Sequence, residues 1–176
     1  MNQPFADWVV RGSAILAVIA YLFSDAVVVW PDKKRLKRPA GRTFWEVAWL
    51  LMLTHTFLAM QFAHGWSLAA AYRHTAEQTA AVTGWNWGGG LVINFLLLLL
   101  WGVDVVASRL FGRPILAAWR WINWAWRGTV AFLMFNATVV FGPWYWSAIF
   151  AVCVLAACVR TAVIVRVRRL LQSPEN

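Results

Sequence analysis

Charge is what this chain has least of. Asp, Glu, Lys and Arg make up 13% of its 176 residues, about half the share of an ordinary soluble domain. A water-facing surface cannot be covered with so few, and 61% of the chain is hydrophobic. Acidic residues are the scarcer sign, 7 against 16 Lys and Arg, for a net charge of +9. The cations sit in short segments between apolar runs and do not interleave with aromatics on a polar surface. That excludes nucleic acid as the expected partner and favours a bilayer with anionic headgroups. There are two cysteines, Cys153 and Cys158. Five residues apart on one helix, they point in different directions, which argues against a disulfide or a metal pair. Three histidines are too few for a multi-histidine haem–copper centre. No Lys or Arg precedes the first apolar stretch within residues 1–10, so no cleavable signal is expected and the first helix is retained. The Gly-x-Ser-x-Gly elbow, His-Glu-x-x-His and Cys-x-x-Cys are all missing. Gly88-Gly89-Gly90 is not followed by Lys-Ser or Lys-Thr, so it is no P-loop and reads as a flexible re-entry loop.

What is abundant is apolar sequence in long runs. A helix needs about 20 apolar residues to cross about 30 Å of hydrocarbon. Runs at about 9–30, 44–64 and 91–109 meet this length. The stretch from 124 to 165 would extend about 60 Å as one helix, and Gly142-Pro143 interrupts it. It divides into spans at about 124–142 and 144–165. The expected fold is therefore an all-α integral membrane bundle of about five transmembrane helices forming a single domain, with its N-terminus outside and its C-terminus cytoplasmic.

Charge placement supports that count. Lys33, Lys34, Arg35, Lys37, Arg38 and Arg42 follow the first span. Arg109, Arg113, Arg120 and Arg127 follow the third, and Arg166, Arg168 and Arg169 follow the fifth. Only Arg11 and Arg73 fall on the other side. The positive-inside bias alternates correctly with five spans and fails with four. Lys33, Lys34, Arg35, Lys37 and Arg38 are the expected lipid-headgroup contacts. The 14 Trp cluster at the same boundaries, where an indole is half wet and half apolar. Two further helices are expected outside the spans. One covers about 67–82 on the outer side, capped by Ser67 and ended by Gly84. The other is an interfacial helix at 114–122 beginning on Pro114, with early onset of the fourth span as the alternative.

Ionisable residues inside spans are costly and mark candidate sites. Asp25, Glu46, Asp104 and Arg160 share one depth near the cytoplasmic ends of four helices. Together they form either a proton, ion or solute path, or structural ion pairs. His55, between Thr54 and Thr56 in mid-span, has the chemistry to ligate haem iron, carry a proton or bond between helices. No histidine on another helix matches its depth. His64 ends the second span, and His74, Glu77 and Gln78 follow on one face of the outer helix. His64, His74 and Glu77 form a candidate zinc or copper site. No cofactor is otherwise expected.

The run His64-Gly-Trp-Ser-Leu-Ala-Ala-Ala-Tyr72, continuing through Thr75, Gln78, Thr79, Gly84, Trp87, Gly88, Gly90, Asn94 and Asp104, resembles a segment of uncharacterised multi-pass membrane proteins of environmental bacteria. The resemblance covers roughly residues 55–105. It implies a membrane protein and brings no established activity or catalytic residue. Three functions remain open. The first is a non-catalytic accessory or assembly subunit of a membrane complex, partnered by another subunit or by its own copies. The second is a small-solute or proton transporter, and the third a haem- or metal-binding redox protein. A multi-pass protein of a bacterial inner membrane is the expected setting for all three.

Overall fold

The computed structural model describes residues 3–28, 39–111, 120–140 and 144–152, together with 155, 159, 162 and 163. These are overwhelmingly helical, with no strand among them. The basic segment with Lys33, Lys34, Arg35, Lys37 and Arg38 lies outside the described residues. So do residues 114–119, Gly142-Pro143, both cysteines and Arg160, and so does the side chain of Asp25.

Five helices have both ends among the described residues: α1 (Gln3–Val28), α2 (Pro39–Phe62), α3 (Leu68–Thr83), α4 (Gly90–Phe111) and α5 (Arg120–Phe135), the last running into a π-helical turn (Asn136–Val140); residues 145–152 are helical as well. Among the described residues, three stretches are long and apolar enough to cross a membrane: Phe5–Ser24, Arg42–Phe62 and Gly90–Phe111. The helices extend past the apolar runs at several ends. Helix α2 starts on Pro39, five residues before the run at 44–64, because proline's fixed φ suits a first turn whose N–H groups need no partner. Helix α5 starts at Arg120 and continues unbroken through residue 124. Residues 120–122 therefore belong to the same helix as the fourth apolar run.

The chain divides into two compact units, residues 1–131 and 132–176. In the first, α1 lies along α2, and α4 packs against both α2 and α3. Small residues set the α1–α2 contact. Ser13, Ala17, Ala20 and Ser24 are buried on α1, and Ala48 is fully buried on α2. Their short side chains let the two backbones approach, which is how helices associate where no water drives them together. In the second unit, Phe135 meets Phe150 edge-on at 5.0 Å. The π-turn carries Thr138, whose hydroxyl donates to the Met134 carbonyl at 2.6 Å. Asn136 likewise donates to the Phe132 carbonyl at 2.8 Å. Polar side chains competing for the carbonyl ladder are an established cause of such local widening.

Gly102 decides how closely α2 and α4 pack. A Cβ at this position would lie 2.7 Å from Cζ2 and 3.0 Å from Cε2 of Trp49. With no Cβ there, the Trp49 ring comes close to the α4 backbone and its indole N–H donates to the Leu98 carbonyl at 3.0 Å. Gly102→Ala should force the ring off this seat and cost about 1–3 kcal/mol, the usual range for overpacking. Thermal unfolding of the detergent-solubilised variant measures this, and an unchanged melting temperature would contradict it.

Candidate functional site

Two clusters of chemically capable side chains lie at opposite ends of the α2–α4 pair. The first sits where the C-terminal halves of α1 and α4 meet the start of α2. Its base is aromatic. Trp45 and Trp101 have ring centres 4.7 Å apart, and Tyr21 lies 6.1 Å from Trp45 and 6.4 Å from Trp101. One ring comes from each of three helices, and all three are buried. Arg127 of α5 places its guanidinium 5.3 Å from the centre of the Trp45 ring, within range of a cation–π attraction.

Glu46 follows Trp45 and is 6% exposed. Arg42, one helical turn earlier, donates from Nε to Oε1 of Glu46 at 3.1 Å. Arg109 of α4 donates from Nη2 to Oε2. Arg42 also reaches across to the backbone carbonyl of buried Ser108. One buried carboxylate thus accepts from two cations and joins α2 to α4 through Arg109, while Arg42 makes a second link between the helices at Ser108. Asp104 is buried one turn along α4 from Ser108. Of the four residues expected at one depth, Glu46 and Asp104 are therefore both buried towards the same end. Arg160 and the Asp25 side chain are not described. The two partners of Glu46 are not among the candidate site residues that the sequence marks. Arg42 could have been found from its i,i+4 spacing; Arg109 had no signal, because a contact across helices depends on their packing. The buried indole N–H groups of Trp101 and Trp126 find no acceptor among the described residues.

His55 lies between α1 and α2. Its Nδ1 is 3.0 Å from the Val10 carbonyl and 3.3 Å from the Ser13 hydroxyl. The Ser13 hydroxyl donates to that same carbonyl at 2.8 Å. A carbonyl can only accept, so Nδ1 carries the proton when it bonds to Val10, leaving Nε2 as the acceptor nitrogen. The side chain acts here as a polar tie between two helices.

The second cluster is at the other end, where α2 gives way to α3. Gly65 (φ 54°) and Trp66 (φ 62°) take left-handed conformations in succession. For tryptophan this is a strained state, sustained only when its surroundings over-determine it. Here they do. The Trp66 N–H bonds to the Met60 carbonyl at 2.9 Å, its indole donates to Gln61 Oε1 at 2.7 Å, and its ring meets Phe57 at 5.0 Å. Ser67 then caps α3 by accepting from the Ala70 N–H at 3.2 Å, and Gly84 closes the helix in the left-handed region. The outcome is that His64 and His74 face each other with ring centres 5.4 Å apart and planes tilted by 53°. Burial pushes His64 below the ordinary imidazole pKa, and His74 beside it pushes the same way. Glu77 is exposed on α3. Among the described residues, no group of three or more His, Cys, Asp or Glu side chains converges as a metal site would need.

Between the two ends, α2 and α4 enclose an apolar crevice of about 600 Å³. Trp49 and Leu53 form one wall, and residues of α4 from Phe95 to Phe111 form the other. Comparison with known proteins adds nothing to this geometry: no family model, curated protein or solved structure matches the chain.

The Glu46 cluster predicts an asymmetric mutational response. Arg42 and Arg109 have side chains 38% and 66% exposed, against 8% for Glu46. Glu46→Gln leaves two cations that can turn to solvent or headgroups, so its cost should be modest. Removing both arginines strands a buried carboxylate, at roughly 3–5 kcal/mol. Adding Glu46→Gln to the Arg42→Met, Arg109→Met pair should then recover most of the loss. Chemical unfolding of the four proteins in one detergent measures the cycle; equal losses for the single and double changes would refute it.

Proposed function

We propose that this chain is a multi-pass, non-catalytic accessory subunit of a membrane complex, and that a partner's transmembrane helix lies along α4. The observation that carries this reading is the outward face of α4. Val92, Leu96, Leu99, Val103, Val106 and Leu110 are each at least half exposed and repeat at 4-3-4-3-4 spacing. In the second half of the helix they form a narrow seam, since Trp101, Gly102, Asp104, Val105, Ala107 and Ser108 are buried around them. Leu99, Val103, Val106 and Leu110 also line the α2–α4 crevice, which follows α4 from Phe95 to Phe111, about 24 Å at 1.5 Å per residue. An apolar surface of that length suits the side chains of one packed helix.

The polar groups support the same reading. Glu46, His55 and Trp49 each hold two helices together, so their bonding capacity goes into the fold. In the proposed topology the chain crosses a bacterial inner membrane five times. Its N-terminus is outside, its C-terminus is inside, and the basic segment with Lys33, Lys34, Arg35, Lys37 and Arg38 meets anionic headgroups. The alternation of positive segments and the resemblance in residues 55–105 support that placement. A transport reading draws on buried Glu46 and Asp104 and is the second choice, because Glu46 is already committed to two guanidinium groups.

Site-specific photo-crosslinking in native membranes tests the proposal. A photoreactive side chain at Leu99 or Val103 should give one discrete adduct with a second membrane protein. That same chain should co-purify with the unmodified protein in mild detergent. The probe at Leu16, an exposed position on α1, should give none. Lipid adducts alone, equal labelling at Leu16, or adducts only with another copy of this chain would each overturn the accessory role.

A further inference from the structure

We infer that His64 and His74 form a two-imidazole chelate for a divalent late-transition-metal cation, with copper(II) as the strongest binder. The inference is independent of any partner helix on α4. It rests first on distance. An ion about 2.0–2.1 Å from a nitrogen of each ring puts two ring centres about 4.5 Å apart at the right angle of a tetragonal copper(II) site and about 5 Å apart at a tetrahedral angle. The observed separation is 5.4 Å. The 53° tilt between the planes also departs from the near-parallel geometry of a stacked pair.

The second support is rigidity at both ligand positions. His64 is fixed from behind by the turn. The His64 N–H bonds to the Ala59 carbonyl at 3.2 Å, and the His64 carbonyl accepts from the Ser67 N–H at 2.9 Å. The strained Trp66 is locked beside it through Met60, Gln61 and Phe57. His74 stands on α3, which is seated by fully buried Ala71 and by buried Ala76. A Cβ on Gly88 would collide with the Tyr72 carbonyl oxygen and sit 2.7 Å from the Tyr72 ring, so the loop before α4 lies tightly against α3. Backbone strain is a cost that tends to persist where a side chain must be aimed. Here it brings together two imidazoles that are ten residues apart.

The ligand set defines the metal class. Imidazole suits copper, nickel and zinc, and affinity at a shared nitrogen site peaks at copper(II). Two protein ligands leave positions open. Water fills them, or a donor carried by an incoming molecule, so the bound ion remains open to exchange. The charged groups on α3 are Arg73, next to His74 and exposed, and exposed Glu77. They offset one another in formal charge.

Copper(II) titration of the full chain, purified in detergent and free of any histidine tag, tests the inference by electron paramagnetic resonance. One equivalent should give a single species with hyperfine structure from two imidazole nitrogens. His64→Ala and His74→Ala should each remove one nitrogen from that pattern and weaken copper binding by at least about tenfold, no less than the loss of an outer-shell partner costs. Both variants should keep the helical circular dichroism of the parent. If a variant loses helix, His64→Gln or His74→Gln replaces it. A wild-type spectrum without two nitrogens, or one unchanged in either variant, overturns the inference.

Discussion

The structure depends on one buried carboxylate. Glu46 has little access to solvent in a chain built for an apolar setting. An ionised carboxylate there is stable only if it is both paired and hydrogen-bonded. Arg42 supplies one bond from the same helix and Arg109 supplies another from α4. Arg42 then continues to the Ser108 backbone. The electrostatic requirement of one side chain thereby fixes the register of α2 against α4. That register places Trp49 over Gly102 and leaves the apolar crevice beside it. The Tyr21, Trp45 and Trp101 rings pack around the same point and bring α1 into line.

Two further polar groups follow a similar logic. Without water, an unmet N–H or C=O is expensive, so polar side chains are recruited to carbonyls of neighbouring helices. The Trp49 indole does this across α2–α4 and His55 does it across α1–α2. These bonds give direction to contacts that dispersion alone would leave sliding. Small residues then determine how near the backbones come, as Ala17 and Ala48 do for α1 and α2.

Much of the helix pattern was legible because hydrocarbon thickness imposes a length. The runs at 9–30, 44–64 and 91–109 correspond to the three long apolar helices Phe5–Ser24, Arg42–Phe62 and Gly90–Phe111. Helix ends were less legible. Hydropathy stops at the first polar residue, whereas α2 and α5 begin earlier, on Pro39 and Arg120. Polar residues can extend a helix without adding apolar length. Ser67 and Gly84 were readable as caps because each has a specific backbone geometry to satisfy. The site was legible by residue type and not by partner. Glu46, Asp104 and His55 stand out as polar groups in apolar runs. Their contacts follow from packing angles that no local pattern encodes.

The α2–α3 turn shows where that limit lies. His64 and His74 could be placed on successive helices from sequence alone, and Glu77 could be placed one turn beyond His74. Whether any of them meet depends on the direction in which the chain leaves α2. A glycine at 65 permits a left-handed residue, but it does not call for a second one at Trp66. The conformation of Trp66 follows from its surroundings: the Met60 carbonyl, the Gln61 amide and the Phe57 ring hold it there. Two consecutive left-handed residues turn the chain between α2 and α3 in very few steps. The two imidazoles meet across that turn, while Glu77, a further turn along α3, does not join them in a metal-sized group. The geometry of this end is thus governed by strain held in place by side-chain contacts, whereas the Glu46 end is governed by charge. The same α2–α4 scaffold supports both because its middle is apolar and already fixed in register.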